Sequence, residues 1–134
     1  MENEKVELAP RFQGLRVWKC AIDLVTVVYR TTEGFPTPER FGLTAQLRRS
    51  AVSVAANIAE GQGRSSPRAS SAFVDISLGS LRELQALASI THSLGFLRDE
   101  ELAAISAEVQ KTAPLLVRLL TRLREKGRNE VDRH

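Results

Sequence analysis

FGLTAQLRRSAVSVAANIAEGQGR, residues 41–64, is the stretch from which the fold is read. Leu43, Leu47, Ala51, Val54 and Ile58 recur at steps of four, four, three and four, so they share one side of a helix that turns once in about 3.6 residues. Arg49, Ser53, Asn57 and Glu60 recur at the same interval and make a second, polar stripe. Ala45, Ala51, Ala55, Ala56 and Ala59 cover much of the rest and let a neighbouring backbone come close. The spacing predicts an amphipathic helix gripped on more than one side, ended by Gly61 and Gly63.

Three further helices flank it. Towards the N-terminus, Leu15 to Glu33 carries one apolar stripe of Leu15, Trp18, Ile22, Val25 and Tyr29, and an adjoining one of Val17, Ala21, Leu24 and Val28. Gly34 stops this helix, and Phe35-Pro36 turns the chain. Thr37 is placed to cap the second helix with Pro38 at its first position, and Gly42 marks a break. Ser66 and Pro67 open a third helix that runs to Leu94, with a seam of Phe73, Ile76, Ser80, Leu84, Leu87, Thr91 and Leu94 flanked by Val74, Leu78, Leu81 and Ala88. Gly95 stops it, and Phe96 and Leu97 turn back onto the core. The fourth helix begins with the acids Asp99, Glu100 and Glu101, and ends with Arg122, Arg124 and Lys126 before Gly127, the order that the helix macrodipole favours. Leu102, Ile105, Val109, Thr112, Leu116, Leu119 and Leu123 form its seam, and Pro114 predicts a kink.

This pattern predicts an all-α protein, an antiparallel up-down-up-down four-helix bundle with neighbours crossing at roughly 20°. Residues 1–14 read as a flexible leader, 15–127 as the bundle and 128–134 as a flexible tail. At 134 residues there is room for one domain with a real core. Hydrophobic residues at 43% and charged ones at 26% exclude a wholly disordered chain. A net charge of +3 tilts the protein mildly towards anionic partners. Cys20 has no second cysteine to pair with, and there is no charged-then-apolar leader. The longest apolar run, near Cys20 to Tyr29, falls short of the roughly 20 residues that span a bilayer. A cytoplasmic location and no membrane partner are expected.

The quoted stretch also resembles a family signature, at Phe41, Gly42, Leu43, Thr44, Gln46, Arg48, Arg49, Ala51 to Val54, Asn57 to Gly61, Gly63 and Arg64. The family is that of four helix bundle proteins encoded in intervening sequences of 23S ribosomal RNA genes, related to the accessory variability determinant proteins of diversity-generating retroelements. Leu15 to Trp18 and Ala21 resemble its first-helix motif, and Phe73, Ile76, Gly79, Ser80, Leu81, Glu83 and Leu84 its third. Ala55 stands where relatives often have proline, Ser77 where alanine is frequent, and Gln85 where glutamate is usual. The resemblance implies the same bundle and a ring-shaped homopentamer. Its retroelement branch implies association with nucleic acid and a reverse transcriptase.

No enzyme chemistry is legible. Di-iron bundles need Glu-x-x-His pairs, yet Glu60 is followed three later by Gly63 and Glu83 by Ala86. His92 lies near the end of the third helix and reads as solvent-facing, without a nucleophile to activate. No metal site, catalytic residue or cofactor is therefore expected. GQGR at Gly61 to Arg64 reads first as a helix terminator, and second as a phosphate contact shared by Arg64 and Arg68 at the start of the third helix.

The arginines carry the functional expectation. Consecutive helix positions point about 100° apart, so Arg48 and Arg49 face differently. One can pair with Glu60 or Glu83 while the other faces water. Arg40, Arg48, Arg49, Arg64 and Arg68 make one basic zone over residues 35–70; Arg118, Arg122, Arg124, Lys126 and Arg128 make another over residues 118–128. Arg48, Arg49, Arg64, Arg68, Arg118, Arg122, Arg124 and Lys126 are candidate contacts for the backbone of RNA or DNA, and Ser53, Asn57, Glu60 and Glu83 are candidate subunit contacts. Aromatics are only 5% of the chain, which disfavours base stacking and favours phosphate attraction. The expected function is a non-enzymatic homo-oligomeric bundle that binds nucleic acid. The alternative is a scaffold whose arginines serve subunit contacts and whose partner is another protein.

Overall fold

The computed structural model describes residues 15–133, so the leader expected over residues 1–14 and the final residue of the tail lie outside the described residues. Four helices follow one another: α1 (Arg16–Thr32), α2 (Leu43–Gln62), α3 (Pro67–Ser93) and α4 (Asp99–Arg133). The α1 and α3 helices each pack against both α2 and α4, and the buried side chains of all four form a single core.

Hydrogen bonds between α2 and α3 fix their direction. Ser50 bonds Glu83, Ser53 bonds Ser80, Ser77 bonds the Val54 carbonyl, and Ser70 bonds the Gly61 carbonyl. Residue numbers rise on one helix as they fall on the other, so the pair is antiparallel. The same reversal relates α3 to α4, where His92 meets Asp99 and Asp75 meets Arg124. At one end Thr32 of α1 meets Arg48 of α2, and at the other Leu15 to Val17 border a cleft with Leu115 and Arg118 of α4.

Of the two apolar stripes of α1, the core takes Val17, Ala21, Leu24 and Val28, whereas Ile22 and Tyr29 face outward. A helix between two neighbours buries one arc, and the stripe at its centre wins. The third helix shows the same choice. Its core stripe is Val74, Leu78, Leu81, Leu84 and Ala88, the residues expected as flanks together with one from the expected seam, while the seam members Ile76 and Leu94 are exposed. Thr91 of that seam is buried and donates to the Leu87 carbonyl at 2.6 Å.

The second helix begins at Leu43, not at Thr37. Residues Thr37–Glu39 form a single 3₁₀ turn with Pro36 at its cap position, and Thr37 makes no capping bond. Gly42, at φ −104° and ψ −110°, breaks the path, and the Glu39 carboxylate accepts the Leu43 N–H at 3.4 Å. An anion there suits the positive end of α2. The Ser66 side chain caps α3 as expected, accepting the Ala69 N–H at 3.1 Å with Pro67 first in the helix.

Gly95 stops α3 in the left-handed region, at φ +87°. Its Cβ would meet nothing, so Gly95→Ala isolates the backbone cost, which should be about 1 kcal/mol by urea unfolding. Leu97 turns back into the core, and Phe96 stacks on Phe35 with ring centroids 6.1 Å apart. At the start of α4 the Arg98 backbone N–H donates to Glu101 at 2.9 Å, which holds that carboxyl below its ordinary value of 4.5. The stability it contributes is present above that ordinary value and disappears as pH falls through the lowered one.

Gly127 does not end α4, which continues to Arg133 and takes in most of the expected tail. A glycine terminates a helix by turning left-handed, but Gly127 keeps a negative φ. It lies instead beside α3, where an added Cβ would stand 3.9 Å from the Arg68 nitrogen. Pro114 and Gln110 both lie on the exposed side of α4, so the carbonyl that Pro114 cannot bond faces water.

Candidate nucleic-acid interface

Two basic zones that are separate in sequence are redistributed by the antiparallel path. The α2–α3 turn, the start of α1 and the last turns of α4 all lie at one end of the bundle. Arg68 of α3 meets Arg124 and Arg128 of α4 around a cavity of 450 Å³, floored by Leu123, Gly127 and Val131. Arg118 and Arg122, on the adjoining side of α4, meet Arg16 of α1 around a second cavity of 270 Å³. Arg64 completes this end. It pairs with Glu60 one turn back and lies over the Phe73 ring, its guanidinium carbon 4.5 Å from the centroid.

The acids here are Glu60, Asp75, Glu125, Glu130 and Asp132, and two of them are engaged: Glu60 by Arg64, and Asp75 by Arg124 at a loose 3.8 Å. Both pairs are exposed, so they restrain the arginines weakly. Arg68, Arg118, Arg122, Lys126 and Arg128 make no ion pair within the described residues, and all five are exposed. Charges held this way on rigid helices attract anions without having to break an internal bond.

Arg48 and Arg49 lie towards the opposite end. Neither forms the expected ion pair with Glu60 or Glu83. Arg48 instead donates through Nε to Thr32 Oγ1 at 2.9 Å and stacks on Tyr29, 4.3 Å from the ring centroid. It anchors α2 to α1 and is half-buried. Arg49 is exposed and has no bonded partner among the described residues. The paired arginines therefore face differently, as their 100° offset requires.

The candidate subunit contacts are largely used inside the protomer. Ser53 shares a 2.7 Å hydrogen bond with Ser80, Asn57 donates back to Ser53, and Glu60 belongs to Arg64. Glu83 accepts from Ser50 at 3.2 Å but remains exposed. His92, expected to face solvent, is partly covered and bonds Asp99 across the α3–α4 turn at 2.7 Å. Among the described residues no group of three or more His, Cys, Asp or Glu is placed to hold a metal, and no helix is long and apolar enough to cross a membrane.

Arg16 joins the basic end although it lies outside both basic zones of the sequence. Arg128, the last residue of the second zone, stays on α4 because that helix continues past Gly127.

The family model for the 23S rRNA-intervening sequence protein matches residues 13–118. A solved structure from Bacteroides thetaiotaomicron, described as a protein of unknown function from the S23 ribosomal protein family, superposes with a TM-score of 0.71. It is 19% identical, and the match covers 78% of this chain and 95% of that one, a likeness that speaks for the fold alone. No curated protein matches the chain.

Proposed function

The chain belongs to the 23S rRNA-intervening sequence protein family, and from that premise we propose that it is a non-enzymatic, homo-oligomeric bundle that binds the backbone of RNA or DNA. The observation that carries the reading is the gathering of Arg16, Arg68, Arg118, Arg122, Arg124 and Arg128 at one end, around two shallow cavities. Guanidinium groups bind phosphate oxygens in bidentate fashion, and a rigid cluster of them reads a charged strand without reading its bases. A homopentamer would present this end five times and convert a modest protomer charge into a strong local field. The family match stops at residue 118, so most of the α4 contribution belongs to this chain's own sequence beyond the matched segment.

The test is a salt titration. Retention of mixed-sequence RNA or DNA should weaken linearly in log affinity against log salt, with a slope of about −0.7 to −0.9 per phosphate neutralised. No detectable binding at low salt would sink the reading. The second reading, a scaffold for another protein, is favoured by one observation: large apolar side chains such as Phe41, at 86% exposure, stand in water. A partner held through them would show little salt dependence.

A further inference from the structure

A low aromatic content disfavours base stacking, yet composition counts rings without locating them. Phe41 is the most exposed large apolar side chain of the described residues, at 86%. It directly precedes the Gly42 break, where the chain leaves the 3₁₀ turn for α2, so its ring stands off the core. The ring borders a groove of 490 Å³ between α1 and α2, at the opposite end of the bundle from the gathered arginines.

Arg40, Arg48 and Arg49 line the same groove, and no carboxylate does. Arg40 lies over one face of the Phe41 ring, its guanidinium carbon 5.2 Å from the centroid. At so high an exposure the other face is open to solvent. Arg48 is held by Tyr29 and Thr32, whereas Arg49 is exposed and has no bonded partner among the described residues. Thr44 is the most buried residue of the groove, at 9% exposure, and its hydroxyl makes no hydrogen bond within the described residues. It belongs to the first turn of α2, where backbone N–H groups lack helical partners and favour an anion; the Glu39 carboxylate takes that of Leu43.

A positive groove beside an open aromatic face is the combination that holds single strands: the arginines follow the backbone and the ring stacks a base. A duplex keeps its bases stacked on one another and offers none to the ring. A small-molecule site would bury most of its ligand, which a groove with its ring at the rim does not do. An acidic protein segment would match the charge but has no need of a flat, open ring.

We propose that this groove takes an unpaired nucleotide of a single-stranded nucleic acid, with its base on the open face of Phe41, the adjoining phosphates on Arg40 and Arg49, and the Thr44 hydroxyl left to donate at the floor. One end of the bundle then follows any phosphate backbone, and the other selects strands with free bases. The inference deepens the function proposed above by naming the form of nucleic acid, and it rests on that reading.

Fluorescence anisotropy with a short single-stranded RNA of mixed sequence, and with its duplex, tests it. The parent chain should prefer the single strand, and Phe41→Ala should lower its affinity for that strand by about 10-fold or more and erase the preference. Phe41→Leu, apolar but without a ring, should lose as much, whereas Phe41→Trp should bind at least as tightly as the parent. The salt slope should be the same in all three, since no charge has changed, while Arg40→Ala with Arg49→Ala should flatten it by about 0.7 for each phosphate released. Phe41 is exposed, so each variant should keep its helical circular dichroism. A Phe41→Ala or Phe41→Leu chain that holds the single strand as the parent does, or a loss shared equally by the duplex, overturns the stacking site and leaves the arginines of the other end standing. If Phe41→Ala weakens polyglutamate as much as it weakens the RNA, the groove is an acidic-peptide site and the inference falls. Absence of binding to single strand and duplex alike at low salt overturns this inference and the nucleic-acid reading together.

Discussion

With Arg68, Arg122 and Arg124 all changed to alanine, retention of mixed-sequence RNA at low salt should fall by about 100-fold or more, and the salt slope should flatten by about 0.7 for each phosphate no longer neutralised. These side chains are exposed, and Arg124 has only the loose, solvent-screened pairing with Asp75. Their removal should move the melting temperature little, since an exposed pair contributes about 1 kcal/mol at most. The control is a chain with the same change in formal charge placed elsewhere: Arg30→Ala, Arg82→Ala and Lys111→Ala, all exposed positions outside the two cavities. If the two triple variants lose affinity equally, binding follows net charge rather than the gathered arginines. A filter-binding titration at several salt concentrations, repeated with DNA, distinguishes the outcomes.

The second large effect is on stability. Gly61→Leu should destabilise the protomer by about 3 kcal/mol, lowering the melting temperature by on the order of 10 °C. At Gly61 an added Cβ already comes 3.2 Å from the Ser70 carbonyl oxygen, 3.4 Å from Phe73 Cβ and 3.6 Å from Val74 Cγ2. Two of these atoms are held by helix geometry, so they cannot swing away as the end of a long side chain would. Relief requires α3 to move off α2 and to stretch the 2.7 Å bond from Ser70 Oγ to the Gly61 carbonyl. Gly61→Ala, whose helix propensity offsets part of the clash, should cost about 1 kcal/mol. Ser77→Ala is the contrasting case. Ser77 is fully buried and donates to the Val54 carbonyl at 2.7 Å, but that carbonyl sits within α2 and keeps its helical acceptor role. Removing the hydroxyl should therefore change stability by no more than about 1 kcal/mol. Thermal melts of the three variants rank them, and a Gly61→Leu chain as stable as the parent would contradict the close approach of α2 and α3.

Much of this molecule is legible without its structure. The periodicity of α2 assigns Leu47, Ala51, Val54 and Ile58 to the core, and they are there, because on a clearly amphipathic helix the stripe and the buried arc coincide. The stops at Gly63 and Gly95 and the start at Ser66-Pro67 are legible because capping is decided within one turn of chain. On α1 and α3 the pattern is ambiguous for the opposite reason. Each carries two adjoining apolar stripes, and only the positions of the neighbours select between Val17 and Trp18, or between Val74 and Ile76. Period alone puts Ile76 in the buried seam, and its exposure turns it from a packing residue into a surface feature. The start of α2 departs from expectation because Thr37-Pro38 has the form of a cap, while Gly42, further along, sets where the helix axis begins.

By itself the sequence determined what is local: four helices, most of their stops, the acidic first turn of α4 and membership in a bundle-forming family. Tertiary structure alone decided which charges share a surface. Arg68 lies 56 positions from Arg124 in the chain, yet the two border one cavity because the reversal at Gly95 brings the end of α4 back beside the start of α3. Arg49 and Arg64 fall in one basic zone of the sequence, but the length of α2 carries them roughly 20 Å apart, at a rise of about 1.5 Å per residue. Helix formation depends on interactions a few residues apart, whereas an electrostatic site depends on distance in space, and only the packed bundle supplies that.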